Sequence, residues 1–236
     1  MAASREKVVL CLSGGMDSCV CAALAARDYD VYALHFSYGQ RTEEREYQAA
    51  QEIARLVGAI EWMPLKIDLF RRIGGSALTD TTISIPSASL EEKEHESKIG
   101  AEIPVTYVPF RNAHFLSAAV SWAEVLNASL VWIGAVEQDS SGYPDCRPAY
   151  YEAFNELIRQ GTRTGNIRVG TPLIHLRKSD IVQLGVELHA PFHVSWSCYS
   201  SGSEACGVCE SCVLRLRAFR KVGVTDPLAY AARTAV

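Results

Sequence analysis

Short apolar runs alternate with helical repeats of apolar residues along most of this chain. The strand-like runs lie at 8–12, 31–37, 60–67, 130–135 and, more briefly, 167–169. Helical spacing of apolar residues follows each of them, at 16–27, 42–57, 112–126, 151–159 and 178–188. Continuous apolar strands that alternate with helices are typical of a parallel sheet covered on both faces. The pattern therefore predicts an α/β fold with a doubly wound parallel sheet.

Length and composition favour one large domain with a small appendage. The chain has 236 residues, of which 48% are hydrophobic. We expect a nucleotide-binding α/β domain at 7–190 and a small lobe at 191–222. The charged run at 90–98 is interpreted as a solvated surface helix or a mobile flap, and the sequence shows no internal repeat.

Charge and hydropathy exclude some functional classes. No apolar run approaches the roughly 18–20 residues of a membrane span, and no signal-like segment precedes the first strand, so we expect a cytoplasmic location. The net charge of −4 gives no general attraction to nucleic acid. A local basic patch remains an alternative, because four basic residues follow the last cysteine: Arg215, Arg217, Arg220 and Lys221.

The segment 12–18, Leu-Ser-Gly-Gly-Met-Asp-Ser, joins the first strand to the first helix. Glycines permit backbone angles that turn several N–H groups toward one anion, and the helix N-terminus adds positive potential. Ser13 and Ser18 add hydroxyl groups. Asp17 would repel a phosphate unless a divalent cation lay between them, which predicts Mg²⁺. The segment lacks the lysine of the GxxxxGK[ST] loop, and it resembles instead the pyrophosphatase loop of enzymes that cleave ATP to AMP and pyrophosphate.

Two further polar loops are expected at the same edge of the sheet, because ligands of doubly wound sheets bind beyond the carboxyl ends of the strands. The loop after the second strand contains Tyr38, Gln40 and Arg41, and the loop after the fourth strand contains Asp145 and Arg147. An aspartate can accept hydrogen bonds from a guanine-like edge. The alternative for Asp145 and Arg147 is an ion pair that only braces the loop.

Half of the eight cysteines lie in one short segment, with the spacing Cys198-x7-Cys206-x2-Cys209-x2-Cys212. Thiolates spaced in this way can hold one tetrahedral zinc ion, which would stabilise a lobe too small for a core of its own. An iron–sulfur cluster is the alternative that also needs four thiolates. Disulfides are unlikely to persist in a reducing cytoplasm, and Cys11, Cys19 and Cys21 are interpreted as core residues.

Six segments in the same order resemble the 7-cyano-7-deazaguanine synthases of queuosine biosynthesis, over about residues 7–220. They are SGGMDS (13–18), YGQR (38–41), VPFRN (108–112), GYPDCR (142–147), TPL with Lys178 (171–178), and WSCY through CGVCESC (196–212). One departure is Ala218 before Phe219, where the family often has glycine. The resemblance implies ATP-dependent conversion of 7-carboxy-7-deazaguanine and ammonia to the 7-cyano product.

The resemblance also implies roles for individual residues. Asp17, Arg111 and Lys178 are expected to be catalytic: Asp17 would act through Mg²⁺, and Arg111 and Lys178 would neutralise charge on pyrophosphate or carboxylate. Residues 12–18 would bind the ATP phosphates with Mg²⁺, while the substrate would meet Tyr38, Gln40, Arg41, Asp145 and Arg147. The resemblance further implies a homodimer. Free ammonia is expected as the nitrogen donor, because 236 residues leave no room for a glutaminase domain.

Other functions share some of these features. Another ATP-dependent adenylating enzyme of the same superfamily, such as a tRNA-modifying or deazaguanine-conjugating relative, would keep the loop at 12–18. A zinc-ribbon module that binds nucleic acid would instead depend on the cysteines alone. The absence of a basic appended domain from the sequence argues against a tRNA-modifying enzyme.

Overall fold

A computed structural model describes residues 5–87, 103–137, 142–200 and 202–231. Within them lies one sheet of five parallel strands with the order β3-β2-β1-β4-β5. The strands are β1 (Lys7–Cys11), β2 (Asp30–Ser37), β3 (Glu61–Lys66), β4 (Leu130–Ile133) and β5 (Arg168–Gly170). The predicted doubly wound sheet is confirmed, because the chain builds outward from β1 to β3 and then returns to the other side of β1.

Helices cover both faces of the sheet. They are α1 (Met16–Asp28), α2 (Glu43–Leu56), α3 (Leu69–Ile73), α4 (Arg111–Leu126), α5 (Pro148–Gly161), α6 (Lys178–Glu187) and α7 (Glu210–Val222), with a 3₁₀ turn at Pro144–Cys146. All five predicted helices are present within a few residues. The sequence reasoning did not predict α3, which is five residues long, or α7, whose start is set by the cysteine segment. The charged run 90–98 lies outside the described residues.

The two faces of the sheet bury separate apolar clusters. Along β1, Val9 and Cys11 face the cluster beneath α4 and α5, whereas Val8 and Leu10 face the cluster beneath α1, α2 and α6. This explains why β1 is apolar at every position after Lys7, as expected of a central strand in a parallel sheet. Burial raises the pKa of the Cys11 thiol to about 12, which agrees with its interpretation as a core residue.

A third, smaller apolar cluster lies around the cysteine segment and contains Trp196, Ala205 and Leu228 together with Ala49 of α2. The lobe is therefore packed directly on the α/β domain. Among the described residues, no helix has the length and apolar character needed to cross a membrane.

Candidate active site

A cleft opens where the strand order reverses, between the carboxyl ends of β1 and β4. This is the position at which open α/β sheets bind their ligands. The cleft consists of two adjoining cavities, of about 250 and about 190 Å³, which share part of their walls. The larger cavity reaches toward β2 and α4, and the smaller one lies toward α6 and α7.

The loop between β1 and α1 contains the two glycines of the predicted phosphate-binding segment, and their backbones differ. Gly14 has φ +87°, and a Cβ atom there would lie 2.6 Å from the carbonyl oxygen of Glu46, so only glycine fits. Gly15 has an ordinary extended conformation with φ −73° and precedes the first turn of α1. Of the two glycines, only Gly14 therefore requires the left-handed region.

Hydroxyl groups organise the interior of this loop. The Ser13 hydroxyl donates to the Ser18 hydroxyl at 2.9 Å, while the Gly15 N–H donates to Ser13 Oγ at 3.2 Å. Leu12, Ser13, Gly15 and Ser18 line the larger cavity. Met16 lines the smaller one. The N-terminus of α1 thus points into the cleft, where its dipole favours an anion.

Asp17 lies where the two cavities meet and is paired with Lys178. Asp17 Oδ2 is 2.5 Å from the Lys178 ammonium nitrogen, and the two side chains are only 24% and 16% exposed. The other carboxylate oxygen, Asp17 Oδ1, is buried without a hydrogen-bond partner. A buried, unpartnered carboxylate oxygen beside a phosphate-binding loop fits a ligand to Mg²⁺.

Arg111 is the second cation of the cleft. Its guanidinium donates to the Tyr38 hydroxyl at 2.9 Å and lies over the rings of Tyr38 and Phe115. Burial opposes the charge, but the nearby oxygens of Tyr38, Tyr143 and Asp145 outweigh it and raise the pKa of Arg111. Its Nε atom is buried without a partner, so the side chain retains a donor.

Three helices begin at this cleft with a first-turn residue in its wall. Asp17 lies in the first turn of α1, while Arg111 and Lys178 are the first residues of α4 and α6. Cations are unfavourable at helix N-termini, because they add to the positive end of the dipole. Two such cations together with three helix N-termini make this cleft suited to a polyanion.

Of the five residues predicted to bind substrate, Tyr38 lines the larger cavity and the other four do not line either cavity. Gln40 is buried and holds its own loop, since its amide oxygen accepts the Tyr38 N–H at 2.8 Å. Arg41 donates to the backbone oxygens of Asp80 and Ile83.

Asp145 lies on the 3₁₀ turn after β4, and Arg147 follows that turn directly. The Asp145 carboxylate accepts the backbone N–H of Asn112 at 3.1 Å, in the first turn of α4, and Arg147 is exposed. Asp145 therefore supports the helix that presents Arg111, while its other carboxylate oxygen, Oδ1, is buried without a hydrogen-bond partner. Among the described hydrogen bonds and ion pairs, none joins Asp145 to Arg147, so the ion pair of the bracing alternative is not observed.

Several lining residues were not found by sequence reasoning. Glu46 of α2 contributes a buried carboxylate to the larger cavity, and it accepts hydrogen bonds from Thr42 and Gln40. Ser197 and Tyr199, from the lobe, line both cavities. No local pattern marks these residues, because tertiary packing alone brings α2 and the lobe to the sheet edge.

Cys146 also faces the cleft. Burial raises the pKa of its thiol to about 11, so the thiol is neutral near pH 7 and is not an activated nucleophile. The described part of the cleft therefore favours chemistry by positioning and charge neutralisation.

The four cysteines of the lobe converge as predicted. Their sulfur atoms all lie within 4.8 Å of one another, and those of Cys206 and Cys212 are 4.0 Å apart. Tetrahedral zinc with Zn–S bonds of about 2.3 Å requires sulfur separations of about 3.8 Å. Backbone N–H groups of Cys206 and Cys209 donate to Cys198 Sγ and Cys206 Sγ, each at 3.3 Å, as suits thiolate ligands. The donor set is therefore compatible with zinc.

The fold and the cleft define an α/β protein with a doubly wound parallel sheet and an attached four-cysteine lobe. A family model described as "Queuosine biosynthesis protein QueC" matches residues 7–223. The 7-cyano-7-deazaguanine synthase of Acidobacterium capsulatum is 68% identical and covers 99% of this chain and 100% of that protein. That of Koribacter versatilis is 59% identical and covers 97% and 95%, respectively. The chain belongs to the QueC family.

A more distant likeness is found among solved structures. The NH3-dependent NAD synthetase from Campylobacter jejuni aligns with a TM-score of 0.47 and 19% identity over 82% of this chain and 68% of that one.

Proposed function

We propose that this protein converts 7-carboxy-7-deazaguanine, ammonia and ATP into 7-cyano-7-deazaguanine, the reaction for which its relatives are named. The observation that carries the proposal is the juxtaposition of Asp17, Lys178 and Arg111 at a phosphate-binding loop, in a chain of the QueC family. Such a site can hold a triphosphate and activate a carboxylate beside it.

The main chemical barrier is the poor reactivity of an ionised carboxylate toward ammonia. In the first half of the reaction, a carboxylate oxygen attacks the α-phosphorus of ATP, the α–β bridge breaks and pyrophosphate leaves. Ammonia then attacks the acyl carbon, AMP leaves with the carboxylate oxygen, and one proton is lost to give the amide. No side-chain nucleophile is needed, which suits a cleft built for positioning.

The second half removes the remaining oxygen from the amide. The amide oxygen attacks the α-phosphorus of a second ATP, and pyrophosphate leaves. Loss of the remaining nitrogen-bound protons and departure of AMP then leave a carbon–nitrogen triple bond. One nitrile therefore requires two molecules of ATP, and both carboxylate oxygens finish in AMP.

The chain's own residues divide this work by position. The N–H groups at the start of α1, with Ser13 and Ser18, bind the leaving pyrophosphate. Arg111 and Lys178 neutralise the charge that develops as pyrophosphate departs, which is the kind of electrostatic stabilisation that usually dominates such reactions. The rings of Tyr38 and Phe115, which are tilted by 56° to each other, line the larger cavity and would pack against the base.

The proposed function includes two metal ions. Asp17 would hold Mg²⁺, which when bound supplies charge neutralisation to the phosphates. Cys198, Cys206, Cys209 and Cys212 would hold Zn²⁺ as a structural ion, which supplies folding energy to the lobe. A homodimer in the cytoplasm, with small molecules rather than nucleic acid as substrates, completes the proposal.

Mass spectrometry of the products tests the proposal. The protein is incubated with the carboxylated base, ammonium chloride, ATP and MgCl₂, and both the base and the nucleotide products are identified. We expect the nitrile with AMP and pyrophosphate, and the adenylated acid when ammonia is omitted. Formation of ADP and phosphate, or no change in the base, would contradict it.

A different adenylating activity is the alternative. If the base were conjugated to another acceptor, the adenylate would form but ammonia would not be consumed. If the amide accumulated and no nitrile formed, the activity would be limited to the first half of the reaction.

A further inference from the structure

A buried ion pair between α7 and the tail that follows it lies at the wall of the cleft, where Arg215 lines the smaller cavity. Arg215 is 1% exposed and meets Asp226 through two hydrogen bonds, from Nε at 2.7 Å and from Nη2 at 2.8 Å. Asp226 also accepts from the Tyr230 hydroxyl and the Leu228 N–H. The pair is thus fully integrated into the lobe, with each carboxylate oxygen accepting two hydrogen bonds.

The remaining donors of Arg215 all go to one segment, 192–197. Nη1 donates to Ser195 Oγ at 2.7 Å and to Ser197 Oγ at 3.4 Å, while Nη2 donates to the carbonyl oxygen of Phe192 at 3.1 Å. Ser195 is itself completely buried and donates back to the same carbonyl at 2.8 Å. A planar guanidinium with fixed donor directions can hold this geometry, and a lysine ammonium cannot.

The same segment contacts the phosphate-binding loop. The Trp196 N–H donates to the carbonyl oxygen of Gly14 at 2.8 Å, and Trp196 and Ser197 line the larger cavity. Gly14 is the one residue of the loop with a positive φ, and a side chain there would clash with the backbone of α2 at Glu46. The loop is therefore held between α2 on one side and the 192–197 segment on the other.

We propose that Arg215, locked by Asp226, is a positioning residue that sets the 192–197 segment against Gly14 and so fixes the nucleotide-binding conformation of the phosphate loop. This inference rests on the proposed nucleotide site. It also gives the four-cysteine lobe a second role, because α7 begins at the cysteine cluster and carries Arg215 one turn later.

The test measures ATP binding directly and does not depend on turnover. Arg215→Lys keeps the charge but removes the planar guanidinium with its fixed donor directions. Arg220→Lys is the matched control on the exposed side of α7. With Mg²⁺ present, we expect the Kd for ATP to rise at least tenfold in Arg215→Lys and to stay unchanged in Arg220→Lys. Zinc content and far-UV circular dichroism should remain those of the parent protein.

Ser195→Ala provides a second variant, both in case Arg215→Lys fails to fold and because Arg215 itself lines the smaller cavity and could touch the nucleotide directly. Ser195 does not line either cavity, so a change in ATP affinity on its removal must act through position. We expect a Kd about three to ten times higher with the fold retained. An unchanged Kd in a folded Ser195→Ala protein overturns the proposal, as does an unchanged Kd in folded Arg215→Lys. Failure of the parent protein to bind ATP would instead refute the proposed nucleotide site.

Discussion

Replacing Asp17 with asparagine removes one negative charge from the junction of the two cavities and changes little else. The substitution is nearly isosteric, and the side chain lies in the first turn of α1, where it is partly exposed. Lys178 loses the carboxylate that holds it, and Mg²⁺ loses its proposed ligand. The fold should survive, because neither residue belongs to the apolar clusters that pack the sheet.

The two expected effects differ in size. Loss of one preorganised electrostatic group in an active site typically costs a factor of about 10²–10³ in kcat, or about 2.7–4 kcal/mol. Asp17 also positions Lys178 at 2.5 Å, so we expect a loss at the upper end, about a thousandfold. The ion pair is largely buried, so the loss of one partner costs more than the roughly 1 kcal/mol or less of an exposed pair, and we expect about 1–3 kcal/mol. For a chain of this length each kcal/mol corresponds to a decrease in Tm of about 2–4 °C.

Pyrophosphate release per folded molecule is the assay, with Tm measured on the same samples. Asp28→Asn is the matched control, since Asp28 ends the same helix and is paired with Arg27 on the exposed surface. It should leave both quantities unchanged. If Asp17→Asn released pyrophosphate at a rate within about threefold of the parent rate, the result would contradict both proposed roles of Asp17, as the Mg²⁺ ligand and as the anchor of Lys178.

Three other perturbations have distinct expected outcomes. Gly14→Ala should lower stability by about 1–3 kcal/mol and weaken ATP binding, because it combines a positive φ with a clash, whereas Gly58→Ala, with φ +72° and open space, should affect stability alone. Equal ATP affinity in the two variants would refute the prediction that the clash at Gly14 weakens ATP binding. Cys206→Ala should release zinc and lower Tm, while Cys19→Ala in the core should keep zinc; full metal content in Cys206→Ala would exclude the four-cysteine site. Burial lowers the pKa of His35, whose Nδ1 contacts the Leu12 carbonyl, so the unfolded chain binds this proton first and stability falls as pH drops below about 6.5. His35→Asn should flatten that decrease in Tm between pH 8 and pH 5.5, and an unchanged slope would contradict it.

Features with a strong local pattern were predictable from the sequence. The apolar strands, the loop at 12–18 and the CxxC spacing each encode their geometry within a few residues, and the sheet and the cysteine cluster are confirmed. The helix α7 was missed because four arginine and lysine residues lie among its apolar ones. Its Ala218 and Phe219 are buried in the apolar cluster of α1 and α6, and these contacts are not local.

The walls of the cleft were harder to predict, for a geometric reason. Sequence reasoning places a loop at a sheet edge but does not fix the direction of its side chains. Gln40, Arg41 and Asp145 lie in the expected loops, yet each forms a hydrogen bond to a backbone atom of the protein. Glu46 and Tyr199 reach the cleft from α2 and from the lobe, where nothing in the local sequence separates a lining residue from a packing residue.

The central claim is that the carboxylate of the substrate receives AMP at the phosphate-binding loop. A carboxylated base with ¹⁸O in both carboxylate oxygens tests this most directly, because each activation transfers one of those oxygens to AMP. The account predicts two molecules of AMP per nitrile, each with one ¹⁸O in its phosphate, and pyrophosphate without label. Unlabelled AMP, or label in inorganic phosphate, would contradict it.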